Sequence, residues 1–310
     1  MANLKGRSIL SLKNYSQDEI YQLLSKAMEL KKQQRNRVPH RIREGKTAAM
    51  IFSKPSSRTR VSFEAATSHL GIHPIFLKPD EIQLGTREPI KDIGRVLSGY
   101  VDVVIIRTFK QSDVEELAQH ASIPVINALT DDHHPMQALA DMMTILEQKD
   151  RLAGLKLAYV GDGNNVANSL MIASGKLGMS MAVASPEGYE PNPEIVEIAR
   201  SSIRNLKQKI TVTNDPFEAV KGADVVYTDV WASMGQEDER EERLKIFRPY
   251  QVNSELMDAA KPSAIFMHCL PAHRGEEVTD EVIESKHSVV FQQAENRLHT
   301  AKAVLVLIIR

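Results

Sequence analysis

Three cations crowd the segment FSKPSSRTR at residues 52–60, where an apolar run gives way to a helix-like one through a Ser-rich turn. Lys54, Arg58 and Arg60 fall near the start of that helix, whose N-terminus already carries roughly half a positive charge from aligned peptide dipoles. A helix start with unpaired backbone N–H groups attracts anions, phosphate above all. Ser56 and Ser57 add donors, and Arg58 brings the planar fork that grips a phosphate or carboxylate at two points. An anionic ligand would offset the repulsion among the cations; the alternative is a Ser-capped helix whose basic residues face water. Two further segments favour the anion. AENR (294–297) sets Arg297 at the expected start of the last helix, and HHPMQ (133–137) opens another. His134 followed by Pro135 suits an N-cap and first helical residue, leaving the imidazole and Gln137 at a third helix start. His133 and His134 as metal ligands is the competing reading, but adjacent residues point apart and no third ligand is convincingly spaced.

A second group of residues offers different chemistry. Asp229 ends a strand-like run and enters the loop DVWASMGQE (229–237), with Trp231 and Met234 expected to be exposed. Loops outside strand C-termini bind ligands in open α/β sheets, and an acid there would pair with an amine; a solvated strand-end acid is the plainer alternative. Cys269 lies in HCLPAHRGEE (268–277). A nucleophile activated by His268 or His273, a metal ligand and a small buried apolar side chain are all open to it. GDGNN (161–165) follows a strand and opens a helix as a dinucleotide fingerprint would, and Glu187 lies near the place of a ribose-binding acid. Val166 stands where the third glycine belongs, so the segment reads better as a tight βα turn whose Asn side chains meet a ligand. Gly45-Lys46-Thr47 resembles the end of a P-loop but fails, because residue 40 is His and the motif precedes its strand.

The elements that must position these groups alternate between strand and helix from end to end. A capping box at Ser16 and Glu19 starts a first helix with apolar residues at helical spacing. Strand-like runs follow at 47–52, 73–78, 101–107 and 124–129, and a long helix-like stretch at 134–150 ends the series. A second series runs through 155–161, 181–185, 210–214, 224–230, 264–269 and 288–292. These runs are apolar throughout rather than alternating, which suits parallel strands buried on both faces. Helices between them imply right-handed βαβ crossovers. The expected fold is therefore α/β, with two open parallel-sheet domains linked by two inter-domain helices. Residues 1–133 with a C-terminal helix at 295–310 form one domain, 134–150 the linking helix, and 151–294 the other domain.

The chain has 310 residues, a net charge of −1 and one cysteine. The near-neutral balance gives no footprint for nucleic acid or an anionic membrane, and a lone cysteine excludes an intrachain disulfide and fits a reducing compartment. The N-terminus lacks the apolar stretch of a signal peptide, and the longest apolar run, AVLVLII, is far short of a membrane span. A cytoplasmic protein is expected.

Taken together and in order, FxKxSxRTR, His-Pro-x-Gln, GDGNN, Asp-x-x-x-Ser-Met-Gly, His-Cys-Leu-Pro and AENR resemble the carbamoyltransferase family, in the form that uses ornithine. The likeness covers essentially the whole chain. It implies two α/β domains with the active site in the cleft between them, and transfer of a carbamoyl group from carbamoyl phosphate to the δ-amine of L-ornithine, with no cofactor and no metal. It implies that Ser56, Ser57, Arg58 and Thr59 cradle the phosphate. Arg107, His134 and Gln137 would hold the carbamoyl group, with Cys269, Leu270 and Arg297 completing that site. Gln83 would reach into a neighbouring subunit's site, implying a homotrimer or an assembly of trimers. Asn165, Asp229, Ser233 and Met234 would hold ornithine. Ser57 departs from the family's commoner Thr but keeps a hydroxyl and a backbone donor. Rival readings are another amine acceptor (aspartate, putrescine or N-acetylornithine), a nicotinamide-dependent dehydrogenase resting on GDGNN, and a catalytically silent metabolite-binding paralogue. The Ser-Met-Gly loop and Cys269 favour ornithine.

Overall fold

The structure is a computed structural model that describes residues 2–203, 205, 207–232 and 237–310. The chain divides into two compact units, 1–143 with 295–310, and 144–294.

In the first unit α1 (Gln17–Arg35) precedes β1 (Thr47–Phe52), α2 (Ser57–Leu70), β2 (His73–Leu77), α3 (Pro79–Ile82) and α4 (Ile90–Ser98). Then come β3 (Val103–Arg107), α5 (Gln111–His120), β4 (Val125–Leu129) and α6 (Pro135–Lys149), within which the unit boundary falls. The four strands are parallel in the order β2-β1-β3-β4. All of β3 is buried and β1 nearly so, as their unbroken apolar runs require. Each fully buried Ile or Val of β3 contributes about 2 kcal/mol by leaving water. The edge strand β2 is instead partly exposed.

The second unit holds β5 (Lys156–Val160), α7 (Asn165–Leu177), β6 (Ser180–Ala184), α8 (Pro193–Ser201), β7 (Ile210–Thr213) and α9 (Pro216–Val220). It continues with β8 (Val225–Thr228), α10 (Arg240–Phe247), α11 (Ser254–Asp258), β9 (Ile265–His268), α12 (Asp280–Ile283) and the start of α13 (Val290–Ile308). Its five strands are parallel in the order β7-β6-β5-β8-β9.

Both orders contain a reversal. The chain leaves β1 for β2 on one side and builds β3 and β4 on the other, and it does the same about β5 and β8. The crossovers diverge there, so a crevice opens beyond the C-terminal ends of β1 and β3 in one sheet and of β5 and β8 in the other. The residues at or just past those four strand ends are Ser53–Lys54, Arg107–Thr108, Gly161–Asn164 and Asp229. Topology, rather than local sequence, puts the chemistry-bearing residues at these points.

One expected strand is absent. SVVFQ (288–292) makes only an isolated bridge from Ser288 to Phe266 before α13 begins at Val290. Its β-branched pair is apolar enough for either structure, and the continuous helical run that follows decides the outcome. Arg297 is therefore the eighth residue of a helix rather than its first, so it is not a cation at a helix N-terminus.

Candidate active site

In the first unit Ser56 caps α2, its side chain accepting from the Thr59 N–H at 3.2 Å. The three cations near this helix start fare differently. Lys54 is buried, paired with Asp131 and 4.2 Å from the centre of the Phe109 ring. Arg60 pairs with Glu64 at 2.8 Å, one helical turn on, and lies over Phe76 at 3.8 Å. Arg58 alone makes no ion pair or hydrogen bond among the described residues. Protein acids thus offset two of the three charges, which corrects the expectation that one ligand offsets them all. Only Arg58 stands available, beside the half-buried Ser56 and the exposed Ser57.

Arg297 closes this group from α13. It donates through Nη2 to Thr59 Oγ1 at 3.0 Å and through Nη1 to the Gln137 side-chain oxygen. Gln137 donates in turn to Asp141 Oδ1 at 2.8 Å. Because Asp141 takes the amide N–H, the Gln137 oxygen is left to face Arg297. Thr59, Gln137, Asp141 and Arg297 are all buried. His134 precedes Pro135 at the start of α6, and its carbonyl accepts from Gln137 N at 3.1 Å and Ala138 N at 3.2 Å. Burial, then the nearby Arg297 and Arg107, hold its imidazole well below the usual histidine pKa. It is a neutral ring at pH 7, able to donate one hydrogen bond without adding charge. Arg107 ends β3 and is buried, its carbonyl accepting from Ser53 N at 2.8 Å. Gln83 is exposed, in the left-handed region at φ 43°.

In the second unit Asp229 is the hub. Its Oδ2 accepts from Asn164 Nδ2 at 2.8 Å, and its Oδ1 accepts from Val230 N and from Cys269 Sγ, each at 2.8 Å. Asn164 caps α7, its side-chain oxygen taking the N–H groups of Val166 and Ala167 and the Tyr159 hydroxyl. Burial, with Asp229 nearby, pushes the Tyr159 phenol well above its ordinary pKa, so it remains a donor. Asn165 follows as the half-buried first residue of α7. The resemblance named only Asn165 of this Asn pair, whereas Asn164 is the one that bonds Asp229. Its capping position, one residue before the helix, was the signal for it.

Cys269 is half-buried, and its thiol is spent on Asp229. Asp229, His268 and Cys269 bring donor atoms within 4.8 Å of one another. His268 is nevertheless engaged at both ring nitrogens: Nδ1 accepts from Leu270 N at 2.8 Å, and Nε2 faces Glu277 Oε1 at 3.1 Å. The trio therefore reads as a positioned acid and thiol, not a metal centre. Leu270 itself is left-handed, at φ 56°.

Trp231 is 2% exposed, against the expectation of an exposed ring. It stacks on Phe247, and its carbonyl accepts from Arg243 at 2.9 Å. Arg243 also pairs with Asp162 at 3.2 Å. Ser233 and Met234 lie outside the described residues. The glycines of GDGNN serve the backbone, Gly163 by close packing and Gly161 by its positive φ. A Cβ on Gly163 would meet the Pro191 nitrogen at 2.2 Å, and Gly161 has φ 144°.

Residues 7–147 match the family model described as aspartate/ornithine carbamoyltransferase, carbamoyl-P binding domain, and residues 153–308 match its Asp/Orn binding domain. The chain is 56% identical to an ornithine carbamoyltransferase of Pyrococcus abyssi over 309 residues, covering 100% of this chain and 98% of that one. It is 57% identical to the Anoxybacillus flavithermus protein of the same name, over 98% of this chain and 96% of that one. The solved ornithine carbamoyltransferase of Pyrococcus furiosus superposes with a TM-score of 0.97 at 56% identity, over 100% of this chain and 99% of that one. The Thermus thermophilus enzyme gives 0.87 at 44% identity, over 98% and 99%. Matched along nearly its whole length by both halves of one family, the chain belongs to the aspartate/ornithine carbamoyltransferases.

Proposed function

We propose that this protein transfers the carbamoyl group of carbamoyl phosphate to the δ-amine of L-ornithine, giving L-citrulline and phosphate. The observation that carries this reading is the sorting of charge around α2. Arg58 makes no ion pair or hydrogen bond among the described residues, while Arg297 reaches Thr59 and Gln137 beside a neutral His134. That is a setting for an acyl phosphate, in which the phosphate is joined directly to a carbonyl carbon.

Ser56, Ser57, Arg58 and Thr59 take the phosphate, with backbone N–H groups of α2 adding donors. Arg107, His134 and Gln137 hold the carbamoyl oxygen and amide, with Arg297, Cys269 and Leu270. As the amine attacks, charge develops on the carbonyl oxygen, and Arg107, His134 and Thr59 stabilise it. A neutral His134 donates there without drawing a counter-ion. Arg58 and Arg297 offset the charge of the departing phosphate. The amine must attack unprotonated, so the site has to select that form. Asp229 with Cys269 orients it, and Asn164 holds Asp229 in place. No covalent enzyme intermediate is needed, because the thiol already donates to Asp229. Asn165, Ser233 and Met234 complete the ornithine set.

The first unit thus supplies most of the carbamoyl phosphate set, with Cys269 and Leu270 coming from the second, and the ornithine set lies wholly in the second. Gln83, on an exposed segment, serves a neighbouring subunit's site in a homotrimer or assembly of trimers. No helix among the described residues is long and apolar enough to cross a membrane; we place the enzyme in the cytoplasm, in arginine biosynthesis.

The test is direct. Purified protein is given carbamoyl phosphate and, in parallel, ornithine, aspartate, putrescine or N-acetylornithine, and phosphate and ureido product are measured. Product with ornithine alone supports the reading. Product with another amine overturns the ornithine assignment, and none with any amine overturns the activity.

A further inference from the structure

Lys54 sits two residues before the N-cap of α2, yet it is only 5% exposed and turned away from any free role. Its ammonium pairs with Asp131 and lies over the Phe109 ring. Asp131 belongs to the turn between β4 and His134. That turn is closed on itself: Thr130 N donates to the His133 carbonyl at 2.9 Å, and His133 N donates to Thr130 Oγ1 at 3.1 Å. It is also tied to its surroundings. Asp131 N donates to the Phe109 carbonyl at 2.8 Å, and Thr130 Oγ1 donates to Gln111 Oε1 at 2.8 Å. Asn127 Nδ2 holds the same Gln111 oxygen at 3.2 Å. Asn127, Thr130, His133 and Gln111 are all buried.

Two loops therefore meet at one ion pair. One leads into Ser56–Thr59, and the other ends in His134. Below them, the strand ends are stitched by Ser53 N to the Arg107 carbonyl and Thr108 N to the Leu129 carbonyl, at 2.8 and 3.0 Å. Lys54 and Asp131 extend this stitching past the sheet, where no ladder bond can reach.

We propose that Lys54 is a positioning residue that acts through Asp131, holding the α2 start in register with the turn that presents His134. This rests on the carbamoyl phosphate assignment above. The ammonium does not touch the ligand; it sets the spacing between the donors for the phosphate and the donor for the carbonyl. Placement errors of an ångström at such a site are costly, on the order of a hundredfold in rate. The loss of one charge-assisted hydrogen bond gives about tenfold.

The test is a double-substitution cycle on the full chain, with Lys54→Gln, Asp131→Asn and the pair, and Lys54→Arg as a conservative control. Steady-state rates with each substrate varied are read beside calorimetric binding of carbamoyl phosphate and a melting curve. We expect each single variant to raise KM for carbamoyl phosphate about tenfold and leave KM for ornithine unchanged. The double variant should be no worse than either single one, and Lys54→Arg should recover most of the loss. A loss in Lys54→Gln that Asp131→Asn does not share would mean that the ammonium meets the ligand directly, and would overturn the proposal. So would full activity in every variant. An inactive unsubstituted enzyme would instead count against the assigned function, which keeps the two failures apart.

Discussion

The two units solve opposite electrostatic problems with the same sheet topology. Past its strand ends the first unit gathers cations and a helix start, with His134 kept neutral. The second places a carboxylate at the corresponding reversal, with an amide and a thiol donating to it. The first pattern suits an anionic acyl phosphate, and the second suits a cationic or polar amine. The lesson lies in how each charge is prepared. In the first unit the protein satisfies Lys54 and Arg60 internally and gives Arg58 no ion pair or hydrogen bond among the described residues. In the second it surrounds Asp229 with three donors, which fix its oxygens in direction.

The comparison can be broken most forcefully at Arg58. Arg58→Ala removes the one open cation of this helix start, so kcat/KM for carbamoyl phosphate should fall about a thousandfold while the melting temperature stays put. Near-normal turnover would remove Arg58 from the site. Asp229→Asn probes the other unit. It should cost about a hundredfold in kcat/KM for ornithine with little change in calorimetric binding of carbamoyl phosphate. Equal damage to both substrates would erase the division between the units.

Asp162 sharpens the second unit's electrostatics through stability. Burial raises its pKa from 3.8 to about 6, against the opposing pull of Arg243. The folded state thus holds this proton more tightly than the unfolded one. Its stabilising contribution is full below pH 3.8 and is lost as pH rises through about 6, a change of about 3 kcal/mol. Urea unfolding of Asp162→Asn and the unsubstituted protein from pH 4 to 7 should therefore show the difference drifting in favour of the variant. A constant gap would reject burial as the dominant cause. The smallest effect is expected from Arg60→Ala. Its exposed pair with Glu64 is worth at most about 1 kcal/mol, and turnover should change less than about threefold. Set beside Arg58→Ala, it asks whether neighbouring arginines on one helix really divide into structural and ligand-facing roles.

Much of this was legible from residue types and spacing. The alternation of apolar runs with helical segments predicts two parallel-sheet units, and the Ser16 and Ser56 caps are local signals that the structure honours. The acid at the end of β8 and the Ser-rich helix start are legible for the same reason: strand ends and helix starts are local, and so are the unpaired groups they expose. Other features were not. Trp231 looks exposed in a Gly-containing loop, but Arg243 and Phe247, from a later helix, bury it. SVVFQ carries a strand's composition and becomes the start of a helix. Arg297, read as a helix start, sits two turns inside α13.

By itself the sequence determined which residues could act and which elements carry them, because propensity, capping and periodicity depend on neighbours a few positions away. Only the tertiary structure decided which cation is left open. Lys54 and Asp131 are 77 residues apart in the chain, and Thr59 and Arg297 are 238 apart. No local signal joins such pairs, since their encounter depends on strand order and on the path of the chain back to the first unit. Charge at a site is what remains after every distant partner has been counted, and that count exists only in the fold.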